Sequence, residues 1–318
     1  MNHPGRYLTV LAVLMALCFL GALMFGSTFK TPAAVWQGLV QHDFDIWQYR
    51  LPRAILAVLV GAALALSGTI IQGIIHNPLA SPDILSINHG ASLAAVLTLM
   101  ALPGTSVWML PLAACVGAAV AFLVLLLVAG RHAGPLQTAL IGVALSAFYA
   151  AITDYLMLTH PLEVNTAMVW LTGSLWGRTW SFVEVGAPLL VLLLPVALLF
   201  SKSFDLLTLG EAKASTLGVN VGRNRILLLG LAVMLAAVAV AISGPIAFLG
   251  LVAPHLARKL VGGRHRVLLP ASILTGALIL QISDIAVRTI RPPLELPAGI
   301  FTALIGAPYF FYLLRRSL

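Results

Sequence analysis

The sequence predicts an all-α, polytopic membrane protein of about ten transmembrane helices, and two observations carry that expectation. Of its 318 residues, 60% are hydrophobic and only 9% are charged, with a mean hydropathy of +1.03. A soluble domain carries about 25% charged residues, so this chain lacks the polar surface that water requires. The apolar residues also gather into runs near the roughly 20 residues that a helix needs to cross a bilayer.

Taken in order, the first run covers 8–26 and follows Arg6. It is long and no small-x-small cleavage site follows it, which favours an uncleaved span over a signal peptide. The second run, 54–75, carries Gly61, Gly68 and Gly73, small residues that let helices approach closely. Pro82 interrupts the pattern just before the third, 84–102. The fourth and fifth cover 107–129 and 137–158. Then come 183–200, 226–243, 248–261 (broken by Pro254), 268–288 and 299–314. Two mixed segments, 27–53 and 159–182, read as interfacial helices or loops, with Trp47, Trp170, Trp176 and Trp180 as aromatic anchors. The chain thus reads as one transmembrane domain over 1–318.

Charge sets the orientation. With the N-terminus inside, twelve of the eighteen Lys and Arg fall in cytoplasmic segments, among them Arg6, Arg131, Lys213, Arg223, Arg264 and Arg316. Six remain outside: Lys30, Arg50, Arg53, Arg178, Arg288 and Arg291. That asymmetry puts both termini in the cytoplasm with an even number of spans, and leaves the outer arginines to be explained. An internal echo accompanies it. Thr-Ala-Leu-Ile-Gly occurs at 138–142 and at 302–306, in two spans of opposite direction, as an inverted repeat requires.

Five places rise above the apolar background. Arg50-Leu51-Pro52-Arg53 precedes the second span on the outer side, a rigid cationic pair suited to a partner's carboxylates or to lipid headgroups. His76 to Asp83 holds two prolines at the inner end of that span. Irregular backbone at membrane depth survives only against protein or a water-filled cavity, so the segment reads as a gate or pathway lining, or as a capped re-entry turn. The inner loop 203–225 contains the stretch Leu209 to Val219, which reads as a short helix closed by glycine, or as a plain connector. Asp284 and Arg288, four apart, can pair along the ninth span. Glu295 to Gly299 reads as an outer turn before the last span.

Other chemistry is not expected. The net charge of +8 sits in topology-setting loops rather than on a nucleic-acid-binding face. Cys18 and Cys115 lie far apart inside apolar runs, and the eight histidines are dispersed, so neither a disulfide nor a metal site is anticipated. His89 and His255 read as packed or capping residues. There is no phosphate-binding glycine loop, no HExxH and no nucleophile elbow. Catalysis and a resident cofactor are therefore not expected.

Several of these stretches resemble one family. Arg-Leu-Pro-Arg at 50–53, the Gly61–Gly68 run and Asn77-Pro78-Leu79-Ala80-x-Pro82 are similar to the permeases of iron-chelate and cobalamin ABC importers. So are Gly244 to His255 and Glu295-Leu296-Pro297-Ala298-Gly299. Thr153–Leu158, Trp170–Arg178 and Gly262–Arg266 look like the ferric citrate branch of that family.

The resemblance implies a subunit of the bacterial inner membrane that pairs with a second, distinct permease chain. Two ABC ATPases sit below and a periplasmic substrate-binding protein docks above. It assigns Arg50, Arg53 and Arg288, with Arg291 beside them, to docking of the binding protein. It assigns Asn77 and Leu79 to the cytoplasmic gate, with a second gate position at Pro135 and Leu136, where the cobalamin permeases carry small hydroxyl residues. Leu209, Gly210, Glu211, Ala212, Leu217, Gly218 and Val219 match helices that couple to the ATPase. Ferric citrate is the favoured cargo, ahead of another ferric siderophore, haem or cobalamin. The rival class is an ion-coupled secondary transporter, which normally needs charge at mid-membrane; in the sequence only Asp154 and Asp284 offer any, both near span ends.

Overall fold

The computed structural model describes residues 4–102, 108–130, 133–208, 210–218, 220–292 and 294–317. Each of the ten expected spans is a helix: α1 (Pro4–Met24), α3 (Leu51–Ile75), α4 (Ile87–Ala101), α5 (Met109–Ala129), α6 (Pro135–Thr159), α8 (Trp180–Leu199), α11 (Val221–Ser243), α12 (Leu249–Val261), α13 (His265–Thr289) and α14 (Ala298–Ser317). Between them lie α2 (Pro32–Gln41), α7 (Val164–Leu171), α9 (Ser201–Leu207) and α10 (Glu211–Thr216). Among the described residues there is no strand. Among the described residues, seven helices, α1, α3, α5, α6, α8, α11 and α13, are long and apolar enough to cross a bilayer. The apolar parts of α4 and α14 are shorter, and α12 has 13 residues.

The bundle is built around α3. Most of its residues are buried, because it packs on α13, α11, α12 and α8 and is apolar on all sides. Lipid tails are as apolar as leucine, so close packing rather than water exclusion must hold such helices together. Gly68 shows how: a Cβ there would run into the carbonyl oxygen of Gly250 on α12. The outward faces of α1, α5, α6 and α8 expose Leu17, Leu20, Leu123, Leu127, Leu140, Phe148, Leu189 and Leu192. Apolar surface on that scale belongs against lipid or another membrane chain.

The two interfacial segments clasp each other. Trp180 donates its indole N–H to the carbonyl of Trp47 at 2.7 Å, and the two rings lie 5.3 Å apart.

The pentapeptide echo has a structural counterpart. α4 and α12 both start on a non-glycine residue in the left-handed region, Ser86 (φ 61°) and Phe248 (φ 64°). The last glycine of each repeat packs against that break. A Cβ at Gly142 on α6 would meet the carbonyl of Ile84 and the backbone of Leu85; one at Gly306 on α14 would meet the side chain of Phe248. The repeat threonines, Thr138 and Thr302, are both buried and return a hydroxyl bond to a carbonyl three or four residues back, Gly134 and Gly299. The repeated pair is thus one unit used twice: a helix supporting the broken start of a short one.

Candidate functional site

At the end of the bundle that the charge asymmetry assigns to the outside, a charged cluster forms where α1, α3 and α13 meet. Arg53, at the start of α3, binds Asp284 of α13 through Nε (2.9 and 3.1 Å) and Nη2 (2.9 Å), while its Nη1 reaches Glu295. Asp284 also holds Arg288 at 3.2 Å, and Arg288 donates to the carbonyl of Ala22. Arg50 caps the end of α1, donating to the carbonyls of Leu23, Met24 and Thr28, and pairs with Asp45. All three guanidiniums are 5% exposed or less, and each has its partners within the chain. They line a cleft of about 370 Å³ with Tyr49, Asp45 and Glu295. Arg291 lies one turn beyond and is exposed. The structure therefore gathers the four expected docking residues at one end, but gives three of them an internal role the sequence did not reveal.

A second outer cavity, about 430 Å³, lies alongside α7 and is lined by Asn165, Thr166, Ser174, Trp176, Arg178, Ser243 and Glu295, among others. Its floor is the junction of two glycine turns, where Ser174 N–H donates to Ser243 and Gly299 N–H to Gly173. The Arg178 guanidinium stacks on Phe182 at 4.5 Å. Burial pushes its pKa down to about 10, which leaves it cationic at neutral pH.

Deeper in, the segment after α3 re-enters the bundle. His76, in the left-handed region, ends α3, and the Asn77 side-chain oxygen accepts from Leu79 N–H at 2.9 Å. Asn77 is exposed and Leu79 half-buried, whereas Ala80, Ser81, Leu85 and Ser86 are buried. Ser146, on the third turn of α6, donates to the carbonyl of Asp83, which fixes the link within the bundle. Irregular backbone is thus sheltered by protein, the condition under which it survives at depth. Beside it a cavity of about 390 Å³ brings together Asp83, Asn88, His89, Ser92, Thr153 and Asp154. Asn88 donates to Asp83, and His89 has a buried Nδ1 without a hydrogen-bond partner. The sequence reading missed this polar cluster, treating His89 as packing. The available signal was the run of polar residues Asp83, Ser86, Asn88, His89 and Ser92 within an apolar region. Pro135 and Leu136 open α6, and Leu136 projects outward.

At the inner end, α9 and α10 form an elbow. Asp205 accepts from His265 through both the backbone N–H (2.9 Å) and Nδ1 (2.8 Å), and Phe204 stacks on the same ring. His76 Nε2 lies 3.2 Å from the carbonyl of Leu207. The elbow is therefore bound to the starts of α13 and of the re-entrant link. From it α10 projects as six residues between Gly210 (φ 95°) and Gly218 (φ 82°), with Ala214 buried and Lys213, Ser215, Thr216 and Leu217 exposed. Glu211 and Ala212 form its first turn, while Leu209 and Val219, like Arg131, lie outside the described residues.

Apolar spans, a sheltered break in mid-bundle, polar cavities along it and charged elements at both ends define a membrane-transport subunit. The chain belongs to the FecCD transport family, which matches residues 13–316. It is 54% identical over 281 residues to the Fe(3+) dicitrate transport system permease protein FecD of Escherichia coli K12, covering 88% of each chain. It is 46% identical over 319 residues to the Fe(3+)-citrate import system permease protein YfmE of Bacillus subtilis 168, covering 99% of this chain and 96% of that one. A solved inward-facing metal-chelate type ABC transporter superposes with a TM-score of 0.89 at 32% identity, covering 98% of this chain and 99% of the other.

Proposed function

We propose that this chain is the permease subunit of an ATP-driven importer that carries ferric citrate from periplasm to cytoplasm across the bacterial inner membrane. The observation that carries the reading is the 54% identity to FecD across 88% of both chains. In this reading the chain pairs with a second, distinct permease. Two ABC ATPases bind below the pair, with the α10 elbow of this chain seated on one of them, and a periplasmic binding protein docks on the outer rim around Arg291 and the Arg50–Arg53–Arg288 cleft. The cytoplasmic gate lies where Asn77 and Leu79 and the start of α6, Pro135 and Leu136, face the inner end.

Such a cycle needs two conformations whose populations are biased from the two faces. The His76 and His265 contacts give the elbow a direct mechanical hold on the re-entrant link and on α13. The test is uptake of radiolabelled iron, presented as ferric citrate, in cells lacking this chain and then complemented with it. Loss and rescue specific to ferric citrate is the expected result. Unchanged citrate-dependent uptake with loss of another ferric chelate or cobalamin would replace the cargo, and unchanged uptake of all of them would remove the importer reading.

A further inference from the structure

Apart from the exposed Arg291, the arginines at the outer end fall into two kinds. Arg50, Arg53 and Arg288 are saturated by carboxylates and carbonyls of the chain itself. Arg178 is different. Its guanidinium has no ion pair and no side-chain hydrogen bond among the described residues, and its Nε is buried without a partner. Arg178 is half-buried, and a partly desolvated cation without a partner is unfavourable where a purely structural arginine would be satisfied. Phe182 holds it by one face, and Trp108 backs that ring at 5.1 Å. The cavity also offers the Asn165 amide and the Thr166 and Ser174 hydroxyls. Glu295 is its carboxylate, but it is engaged by Arg53, so its charge is already countered.

The geometry points to a carboxylate-binding subsite for the cargo in this cavity, with Arg178 as the specificity-determining residue for an anionic ferric chelate. This rests on the importer reading above. Two tricarboxylates on one trivalent iron leave a net negative charge, with free carboxylates at the periphery of the complex. A planar guanidinium fixed by stacking presents a fork that matches a carboxylate in bidentate geometry. The cavity lies at the outer end, and α7 separates it from the polar cavity at depth, since Trp170 lines the first and Leu171 the second. An anion captured at Arg178 is therefore one helical layer from the re-entrant link. The carboxylate is assigned to the cargo and not to the binding protein, because a second polar cavity continues beyond α7 toward the re-entrant link.

The test uses the complete transporter, with its partner permease, ATPases and binding protein, in proteoliposomes, and ferric citrate as the probe. Arg178→Gln is expected to lower uptake at least tenfold, and Arg178→Lys to retain a substantial part of it. Binding-protein docking, read by co-purification, should be unchanged in both. Asn165→Asp, isosteric and on the exposed face of α7, places a carboxylate in the cavity and should lower uptake severalfold even if Arg178→Gln reduces the amount of folded protein. Uptake by Arg178→Gln or Asn165→Asp within twofold of wild type, per folded transporter, overturns the subsite. Loss of uptake together with loss of docking also overturns it and assigns the carboxylate to the binding protein. A wild-type complex that carries no ferric citrate fails at the earlier step and overturns the importer reading instead.

Discussion

At the scale of single residues, what separates a structural charge from an accessible one is its partner. Asp284 is fully buried and holds two guanidiniums, Arg53 and Arg288. Removing one member of a buried ion network leaves the others uncompensated and costs about 3–5 kcal/mol. Asp284→Ala should therefore lower the thermal midpoint of the purified protein and its membrane abundance, and a midpoint equal to wild type would remove the structural role. Charge reversal of Arg50 and Arg53 should behave likewise, since Arg50 ties down the last turn of α1. Arg291 is exposed, so Arg291→Glu should keep abundance while weakening co-purification of the binding protein; unchanged docking would take Arg291 out of that surface. The pattern Arg-Leu-Pro-Arg announces an unusual outer charge pair. It cannot announce that its acids come from Asp284 and Glu295, more than two hundred residues away, because that pairing is a product of tertiary packing.

At the scale of elements, the spans are legible because a bilayer demands a fixed apolar length, and their ends differ from the sequence reading by a few residues at most. The short α4 and α12 are the harder cases. Each begins inside the bundle, after a break against which Gly142 or Gly306 packs with no room for a Cβ. The repeat Thr-Ala-Leu-Ile-Gly marks both places, yet five apolar letters do not disclose what the glycine touches. Gly142→Val and Gly306→Val should each cost about 1–3 kcal/mol by overpacking, read as a lower thermal midpoint. Gly222→Ala, whose Cβ would meet nothing nearer than Asn220 Oδ1 at 4.0 Å, serves as the neutral control. Equal midpoints in all three would dissolve the shared unit. The elbow makes a separate prediction. Leu217 is 60% exposed and contributes little to the core, so Leu217→Glu should leave the protein abundant while reducing co-purification of the ATPase. Undiminished co-purification would count against α10 as the coupling element.

At the scale of the whole molecule, the two faces must be assigned correctly for any of these roles to hold. Ten crossings return the chain to the side on which it starts, and the larger share of Lys and Arg then lies in the cytoplasm. On the proposed function, the cavity of Arg178 and the Arg53 cluster then face the periplasm, and α10 faces the ATPase. Cys18 and Cys115 are the two native cysteines, and both sit within apolar helices, so a variant with both changed to serine offers a silent background. Into it Ser27→Cys, just beyond α1, and Ser215→Cys, on α10, each introduce one exposed thiol at minimal change of size. A membrane-impermeant maleimide applied to spheroplasts should label the thiol at position 27 and spare that at 215 until the cells are broken. The reverse pattern would invert the molecule and exchange its docking and coupling ends. Labelling of both in intact spheroplasts would mean that α4, the short helix between the two positions, turns back without crossing, and the even count of spans would fall with it.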